Sequence, residues 1–346
     1  MIKAGIIGAT GYAGNEIVRL LLGHKDVEVA WYGSRSYIDQ KYSDVYQNFF
    51  KLVDAKCMDD NMEALADEVD VIFTATPQGL CASLINEGIL SKAKVIDLSA
   101  DFRIKDVKKY EKWYGIEHKA PQFIDEAVYG LCEINREDIK KARLIANPGC
   151  YPTCSTLSIY PLIKEGLLSP ETPLSCTSLT GYSGGGKKMI ADYREQGAAY
   201  DPPRPYGLAQ AHKHLPEMTK VCGLAAPPVF LPIVGNFYSG MLVSVPLHRA
   251  QLLRGAGMED VRAVYKNYYA GPVVAYCETL SEDGFASAGL LSGTDGMLIA
   301  CEGNAERFTL LAAYDNLGKG ASGAAVQLLN LKMGADISAG LVLQEV

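Results

Sequence analysis

The sequence carries no run of like charge, no long unbroken apolar stretch, no internal repeat and no low-complexity segment. Basic residues are scattered among acidic ones and the net charge is −7, which argues against a nucleic-acid partner. The apolar runs are short and interrupted, so no membrane span is expected. The opening MIKAGIIGATGYAG moves straight into a strand pattern, without the apolar core and cleavage site of a signal peptide, and a cytoplasmic protein is expected. Histidine is scarce, limited to His24, His118, His212, His214 and His248. The nine cysteines (57, 81, 132, 150, 154, 176, 222, 277 and 301) are odd in number and dispersed, which fits reduced thiols better than a disulfide framework. Cys150 and Cys154 lie closest together, but no second ligand pair at zinc-finger spacing accompanies them, and no metal is expected.

What is present is a normal globular balance, 48% hydrophobic and 21% charged. At 346 residues the chain exceeds one ordinary compact core, so two domains are expected. Residues 2–8 (IKAGIIG) read as a buried parallel strand, 12–22 show helical spacing, and 26–34 return to strand. Further strands are expected at 69–76, 93–100 and 143–149, with the helix-like QGLCASLINEGIL between the first two. This alternation implies an α/β fold with a Rossmann-like doubly wound parallel sheet. After residue 150 the texture changes. A helix (STLSIYPLIKEG) leads to the strand SCTSLTGYSG, then to a glycine- and proline-rich stretch at 181–207. Strand-like runs at 228–247 and 272–280 flank a helix at 258–270, which implies a second α+β domain with a mixed or antiparallel sheet. DNLGKGASGAAVQLLNLKMG at 315–334 reads as a glycine loop feeding a C-terminal helix. The expected division is 1–149 plus 315–346 for a dinucleotide-binding domain, and 150–314 for a catalytic, substrate and oligomerisation domain.

Gly8-Ala9-Thr10-Gly11-Tyr12-Ala13-Gly14 has the spacing G-x-x-G-x-x-G, between a strand and an amphipathic helix. Glycines there let the backbone turn sharply and approach a pyrophosphate, whose charge then meets a helix N-terminus. The second strand ends in Tyr32-Gly33-Ser34-Arg35-Ser36, with hydroxyls and an arginine where a 2′-hydroxyl site carries an acid. Ser34 and Arg35 suit a 2′-phosphate and favour NADP(H), against the alternative of a solvated loop arginine.

The stretch IANPGCYPT puts Cys150 at a helix start, where a thiol pKa falls and thiolate becomes available. Taken alone, this supports a nucleophile no better than a packed core cysteine. A nucleophile needs a proton-transfer partner. Ala211-His212-Lys213-His214-Leu215-Pro216-Glu217 offers an imidazole, a carboxylate and a cation, against the alternative of a charged helix start. Together these parts point to nicotinamide-linked chemistry at an acyl carbon.

GATGYAG, SADFR, the VYGL-E segment, NPGCYPT, SGGGK, HKH-PE and DNL-KGA-G-A-Q occur in one order along the chain. In these segments, essentially end to end, the sequence closely resembles the N-acetyl-γ-glutamyl-phosphate reductases of arginine biosynthesis, relatives of the aspartate-semialdehyde dehydrogenases. The resemblance implies that Cys150 is the nucleophile and His214 the acid/base, with Glu217 as its orienting group and His212 a weaker candidate on the substrate side. It implies that Arg103 of SADFR holds the substrate's phosphate or carboxylate. Ser183 to Gly186 and Lys187 would form a second glycine-rich loop near cofactor and substrate phosphate, with Ser183 and Gly184 on the cofactor. Asn316 would lie by the nicotinamide.

The implied reaction is NADPH-dependent reduction of an acyl phosphate through a cysteine thioester, releasing phosphate. A homo-oligomer, dimer or tetramer, is expected. Two alternatives remain at this level. One is the same chemistry on N-acetyl-aminoadipyl or aspartyl phosphate, since one methylene is discriminated by only about 1–3 kcal/mol. The other is an NADP-binding redox sensor using its cysteines without turnover.

Overall fold

The structure, a computed structural model, describes residues 1–344. The chain divides into two compact units. Unit 1 comprises Met1–Pro148 and Ala321–Leu341; unit 2 comprises Gly149–Gly320 and residues 342–344.

Unit 1 holds a seven-stranded sheet: β1 (Ile2–Ile7), β2 (Val27–Gly33), β3 (Cys57–Met58), β4 (Val71–Thr74), β5 (Lys94–Asp97), β6 (Val128–Tyr129) and β7 (Leu144–Ala146). Their order across the sheet is β3-β2-β1-β4-β5-β7-β6, and every pairing is parallel. The central strands are buried on both faces, which is why VIFT and LIA read as unbroken apolar runs. Helix Tyr12–Leu22 and helix Gly323–Met333 share one core with β1 and β4. The expected Rossmann-like sheet is therefore present.

Unit 2 holds a second seven-stranded sheet: β8 (Ser175–Gly181), β9 (Arg204–Pro205), β10 (Val229–Gly235), β11 (Met241–His248), β12 (Val274–Tyr276), β15 (Met297–Gly303) and β16 (Arg307–Tyr314). A separate two-stranded ribbon joins β13 (Ser281–Glu282) to β14 (Phe285–Ala286). The larger sheet is mixed, with β8–β10 and β12–β15 parallel and the other pairs antiparallel. Helix Cys150–Lys164 is buried along nearly its whole length and packs against helix Leu215–Cys222. Pro161 inside it has no N–H for the carbonyl of Leu157, and the Tyr269 hydroxyl donates to that oxygen instead, at 2.5 Å.

Four details differ from the sequence expectations. The glycine-rich stretch 181–207 contains helix Gly186–Gln196. The β15–β16 hairpin was not anticipated. Residues 315–320 group with unit 2, because the buried Asp315 carboxylate accepts the Ser239 hydroxyl at 2.6 Å and the Gly293 amide at 2.7 Å, both in unit 2. Residues 342–344 also group with unit 2; residues 345 and 346, part of the expected first domain, lie outside the described residues.

Candidate functional site

Unit 1 contains Gly8, Thr10, Gly11, Tyr12, Ala13, Gly14, Ser34, Arg35 and Arg103 among the residues singled out from sequence; the others are in unit 2. In unit 1, β1 ends at Ile7 and Gly8 turns the chain with φ +83°. A Cβ on Gly8 would stand 2.4 Å from the carbonyl oxygen of Ala75, and one on Gly14 would stand 2.1 Å from that of Gly8. Neither position tolerates a side chain. Gly11 caps helix Tyr12–Leu22, whose first turn has no acidic residue to neutralise its positive end. The Ala13 carbonyl accepts the Ser322 hydroxyl at 2.9 Å. Tyr42 and Tyr46 donate their hydroxyls to the carbonyls of Ala9 and Thr10, both at 3.0 Å, so the loop is held from outside as well. The Thr10 and Ser34 hydroxyls lie 2.7 Å apart and are buried.

Two observations test whether this loop fits a dinucleotide. The glycines let the turn fold tightly onto its own backbone, with Gly14 against the Gly8 carbonyl and Gly8 against that of Ala75, the close-packed turn that a pyrophosphate-binding loop needs. Beside it, at the C-terminal end of β4, the Thr76 hydroxyl is buried with no hydrogen-bond partner among the described residues, a polar atom that a ligand can satisfy. The residues fit the group. Arg35 is exposed and paired with Asp60 at 2.5 Å, so its guanidinium is shared with a carboxylate as the loop stands.

At the C-terminal edge of β5 and β7, Arg103 donates from Nε to the carbonyl of Asn147 and from a terminal nitrogen to that of Leu98, both at 2.7 Å. Two backbone carbonyls thus fix the plane of its fork. A buried network supports the same SADFR segment: Asp97 accepts the Thr74 hydroxyl at 2.7 Å and the Ser99 hydroxyl at 2.7 Å, while Asp101 accepts the Gly79 amide and the Tyr110 hydroxyl, each at 2.7 Å. Burial, then the charge of Asp101, pushes the Asp97 carboxyl up from the usual range.

In unit 2, Cys150 is the first residue of helix Cys150–Lys164, with Gly149 as N-cap and Pro152 within the first turn. Cys150 and Cys277 are the partly accessible cysteines; the other seven are buried, and all nine are free thiols. Burial pushes Cys222 and Cys301 up to about 12 and Cys277 up to about 11, which keeps them protonated near neutrality. Space beside Cys150 depends on Gly320, where a Cβ would lie 3.1 Å from that of Cys150. The Tyr314 hydroxyl donates to the Cys150 carbonyl at 2.9 Å.

His214 caps helix Leu215–Cys222 and is buried. Its ring centroid stands 5.7 Å from that of Tyr151, the residue after the thiol, and 5.0 Å from that of His212. His212 accepts the His214 amide on Nδ1 at 3.2 Å. Burial, then the Lys213 charge, lowers the His212 imidazole to about 4, so it is neutral near pH 7. The Tyr151 and Tyr206 hydroxyls meet at 2.9 Å and close the aromatic side of this cluster. Glu217, one turn along the same helix, is buried, and its Oε1 accepts the amide of Gly149 at 2.8 Å. Asn316 donates to the Ser183 hydroxyl at 2.8 Å and accepts the Gly240 amide at 2.9 Å, binding the glycine-rich turn to the β10–β11 connection. Gly184, in the turn Tyr182–Gly185, and Lys187, in the first turn of the following helix, are exposed. Tyr206, Tyr314 and Thr76 carry no sequence motif, and only the folded chain brings them to these places.

A dinucleotide-type loop in one unit and a helix-start thiol with imidazole and carboxylate in the other define a dehydrogenase of the semialdehyde type. In agreement, residues 3–142 match the family described as "Semialdehyde dehydrogenase, NAD binding domain" and residues 150–316 match "Semialdehyde dehydrogenase, dimerisation domain". The chain belongs to the N-acetyl-gamma-glutamyl-phosphate reductase family. It is 52% identical to the protein of that name from Lachnospira eligens, over 99% of this chain and 98% of the relative. It is 49% identical to that of Lachnoclostridium phytofermentans, over 99% of both chains. Among solved structures, aspartate semialdehyde dehydrogenase II from Vibrio cholerae shares the fold, with TM-score 0.71 at 16% identity over 96% of this chain and 99% of that one. The Candida albicans aspartate semialdehyde dehydrogenase, solved with NADP, gives 0.70 at 16% identity over 97% and 99%. No helix among the described residues is long and apolar enough to cross a membrane.

Proposed function

We propose that this protein reduces N-acetyl-L-glutamyl 5-phosphate to N-acetyl-L-glutamate 5-semialdehyde and phosphate with NADPH, as a step of arginine biosynthesis in the cytoplasm. The observation that carries the chemistry is Cys150, a partly accessible thiol at a helix N-terminus, with His214 and Glu217 on the helix packed against its own. The substrate follows from relatives of one name at 38–52% identity over essentially the whole chain.

Cys150 thiolate attacks the acyl-phosphate carbonyl; an S–C bond forms, the C–O bond to phosphate breaks, and inorganic phosphate leaves with that electron pair. Arg103 and Lys187 hold the phosphate, Arg103 through a fork already set by two carbonyls. The thioester keeps the acyl carbon electrophilic because sulfur donates less into the carbonyl than oxygen does. NADPH, when bound, supplies the hydride; Gly8, Thr10, Gly11, Tyr12, Ala13, Gly14, Ser34 and Arg35 would hold its phosphates and adenosine ribose, and Ser183, Gly184 and Asn316 its nicotinamide end. The thiohemiacetal oxyanion on Cys150 then collapses to aldehyde and releases thiolate, with His214 supplying and reclaiming the proton at that oxygen. His212 stays neutral, and because its Nδ1 accepts the His214 amide, its Nε2 carries the hydrogen and can donate to substrate.

Unit 2 also supports self-association. Leu242, Leu298 and Cys277 are only partly buried around Leu280, Ala300, Leu311 and Ala313 on one face of its sheet, and such a face can pair with a copy of itself in a dimer or tetramer. The test of the reaction is NADPH formation from N-acetylglutamate semialdehyde, phosphate and NADP. Wild type turns over, and Cys150→Ala falls to background. Equal rates in the two proteins would remove the thioester mechanism.

A further inference from the structure

The sequence resemblance gives Glu217 one task, the orientation of His214. The structure shows it reaching the other side of the chemistry. Its Oε1 accepts the amide of Gly149 at 2.8 Å, and Gly149 is the N-cap of the helix that begins with Cys150. The carbonyl of the same residue accepts both the amide and the hydroxyl of Thr153, each at 3.0 Å. The N-cap residue is therefore held through its donor by one helix and through its acceptor by another.

We propose that Glu217 is a positioning residue that clamps the N-cap of the thiol helix, so that the carboxylate sets where the Cys150 sulfur and the adjacent amides point. The proposal rests on Cys150 being the nucleophile of the reaction above. Three physical consequences follow. The Gly149 amide is engaged and does not serve an oxyanion, and Pro152 has no amide at all. The helix start thus offers a carbonyl oxygen at most the amides of Cys150 and Tyr151, which makes their placement the quantity that Glu217 controls. Second, a buried carboxylate at a helix N-terminus is favoured by the helix dipole, so the clamp stabilises the helix start it holds. Third, that negative charge opposes ionisation of the thiol one residue away from the clamped amide, so it restrains the thiolate that the helix start favours.

The experiment uses the full-length protein and the variants Glu217→Gln and Glu217→Ala. It reads Cys150 alkylation by iodoacetamide against pH, resolved from the other cysteines by peptide mass mapping, together with kcat and KM in the NADP-linked assay. Glu217→Gln keeps an acceptor for Gly149 but removes the charge. It loses no more than about tenfold in kcat, and its alkylation midpoint moves to lower pH by about half a unit or more. Glu217→Ala releases the clamp and loses about a hundredfold in kcat with KM for NADP unchanged, the cost expected of a small misplacement of reacting groups. Equal kcat losses in Gln and Ala, or an alkylation midpoint in Gln that matches wild type, would show that Glu217 does not act on the thiol helix. If Glu217→Ala does not fold, the Gln midpoint decides alone. Alkylation needs neither dinucleotide nor acyl phosphate, so a wild type without turnover defeats the proposed reaction and leaves the clamp separately measurable.

Discussion

The ring nitrogen Nδ1 of His212 accepts the backbone amide of His214 at 3.2 Å, tying the two imidazoles of HKH together through the main chain. Protonating Nδ1 would break that bond, and burial already lowers His212 to about 4. Its folded value lies below the unfolded value, so between about pH 6.5 and 4 the unfolded chain binds more protons and stability falls as pH falls. Wild type should lose about 2 kcal/mol more than His212→Gln between pH 7 and pH 5 in urea unfolding. A matching loss in both proteins would mean that His212 is not held neutral.

Asp97 predicts the opposite slope. Its folded value is raised by burial and by Asp101, so the fold holds the proton more tightly than the unfolded chain and stability falls as pH rises through the folded value. Thr74, Ser99 and its amide already donate to the two oxygens. Asp97→Asn should flatten the decline in thermal stability between about pH 4 and pH 6, since the amide carries no charge to bury. Scanning calorimetry across about pH 4–7 checks this, and an unchanged slope would assign the decline elsewhere.

The glycine cradle sets a third expectation. Gly14→Ala places a methyl group 2.1 Å from the Gly8 carbonyl oxygen, a backbone atom that cannot move aside without opening the loop. NADPH affinity should weaken at least about tenfold, with about 2–4 kcal/mol of lost stability, in the range of other overpacked sites. Fluorescence titration of NADPH measures the first without any turnover. Wild-type affinity would show that the loop does not approach the dinucleotide.

Arg35 and Asp60 form an exposed pair, which contributes only about 0.2–1 kcal/mol of stability. Asp60→Asn should therefore leave the fold intact and release the guanidinium, tightening NADP about threefold with little effect on NAD, for an exposed charge pair of this strength. Arg35→Ala should weaken NADP while sparing NAD. If both dinucleotides respond alike, Arg35 does not meet a 2′-phosphate.

Much of this architecture is readable in the sequence because its local signals agree. GATGYAG sits between an apolar run and an amphipathic helix, and IANPGCYPT joins a strand end to a proline-tolerant first turn, so propensity and tertiary packing point the same way. Where long-range contacts decide, the sequence says little. Asp315 looks like the start of a C-terminal loop, yet its carboxylate bonds to Ser239 and Gly293, and those partners place residues 315–320 in unit 2. Helix Gly186–Gln196 begins among glycines that mask its periodicity. The bond between Glu217 and Gly149 spans 68 residues, and no spacing rule reports it.

Unit 1 is built from both ends of the chain. Helix Gly323–Met333 is buried in the same core as β1 and helix Tyr12–Leu22, and Asn330 on it meets His24 at 2.9 Å. On the ribosome, the first 148 residues emerge long before that helix exists. At about 5–20 residues per second, the intervening segment takes roughly ten to thirty seconds to synthesise. Through that interval the nascent half-domain lacks the helix that completes its core, so chains truncated before residue 323 should expose apolar surface and aggregate.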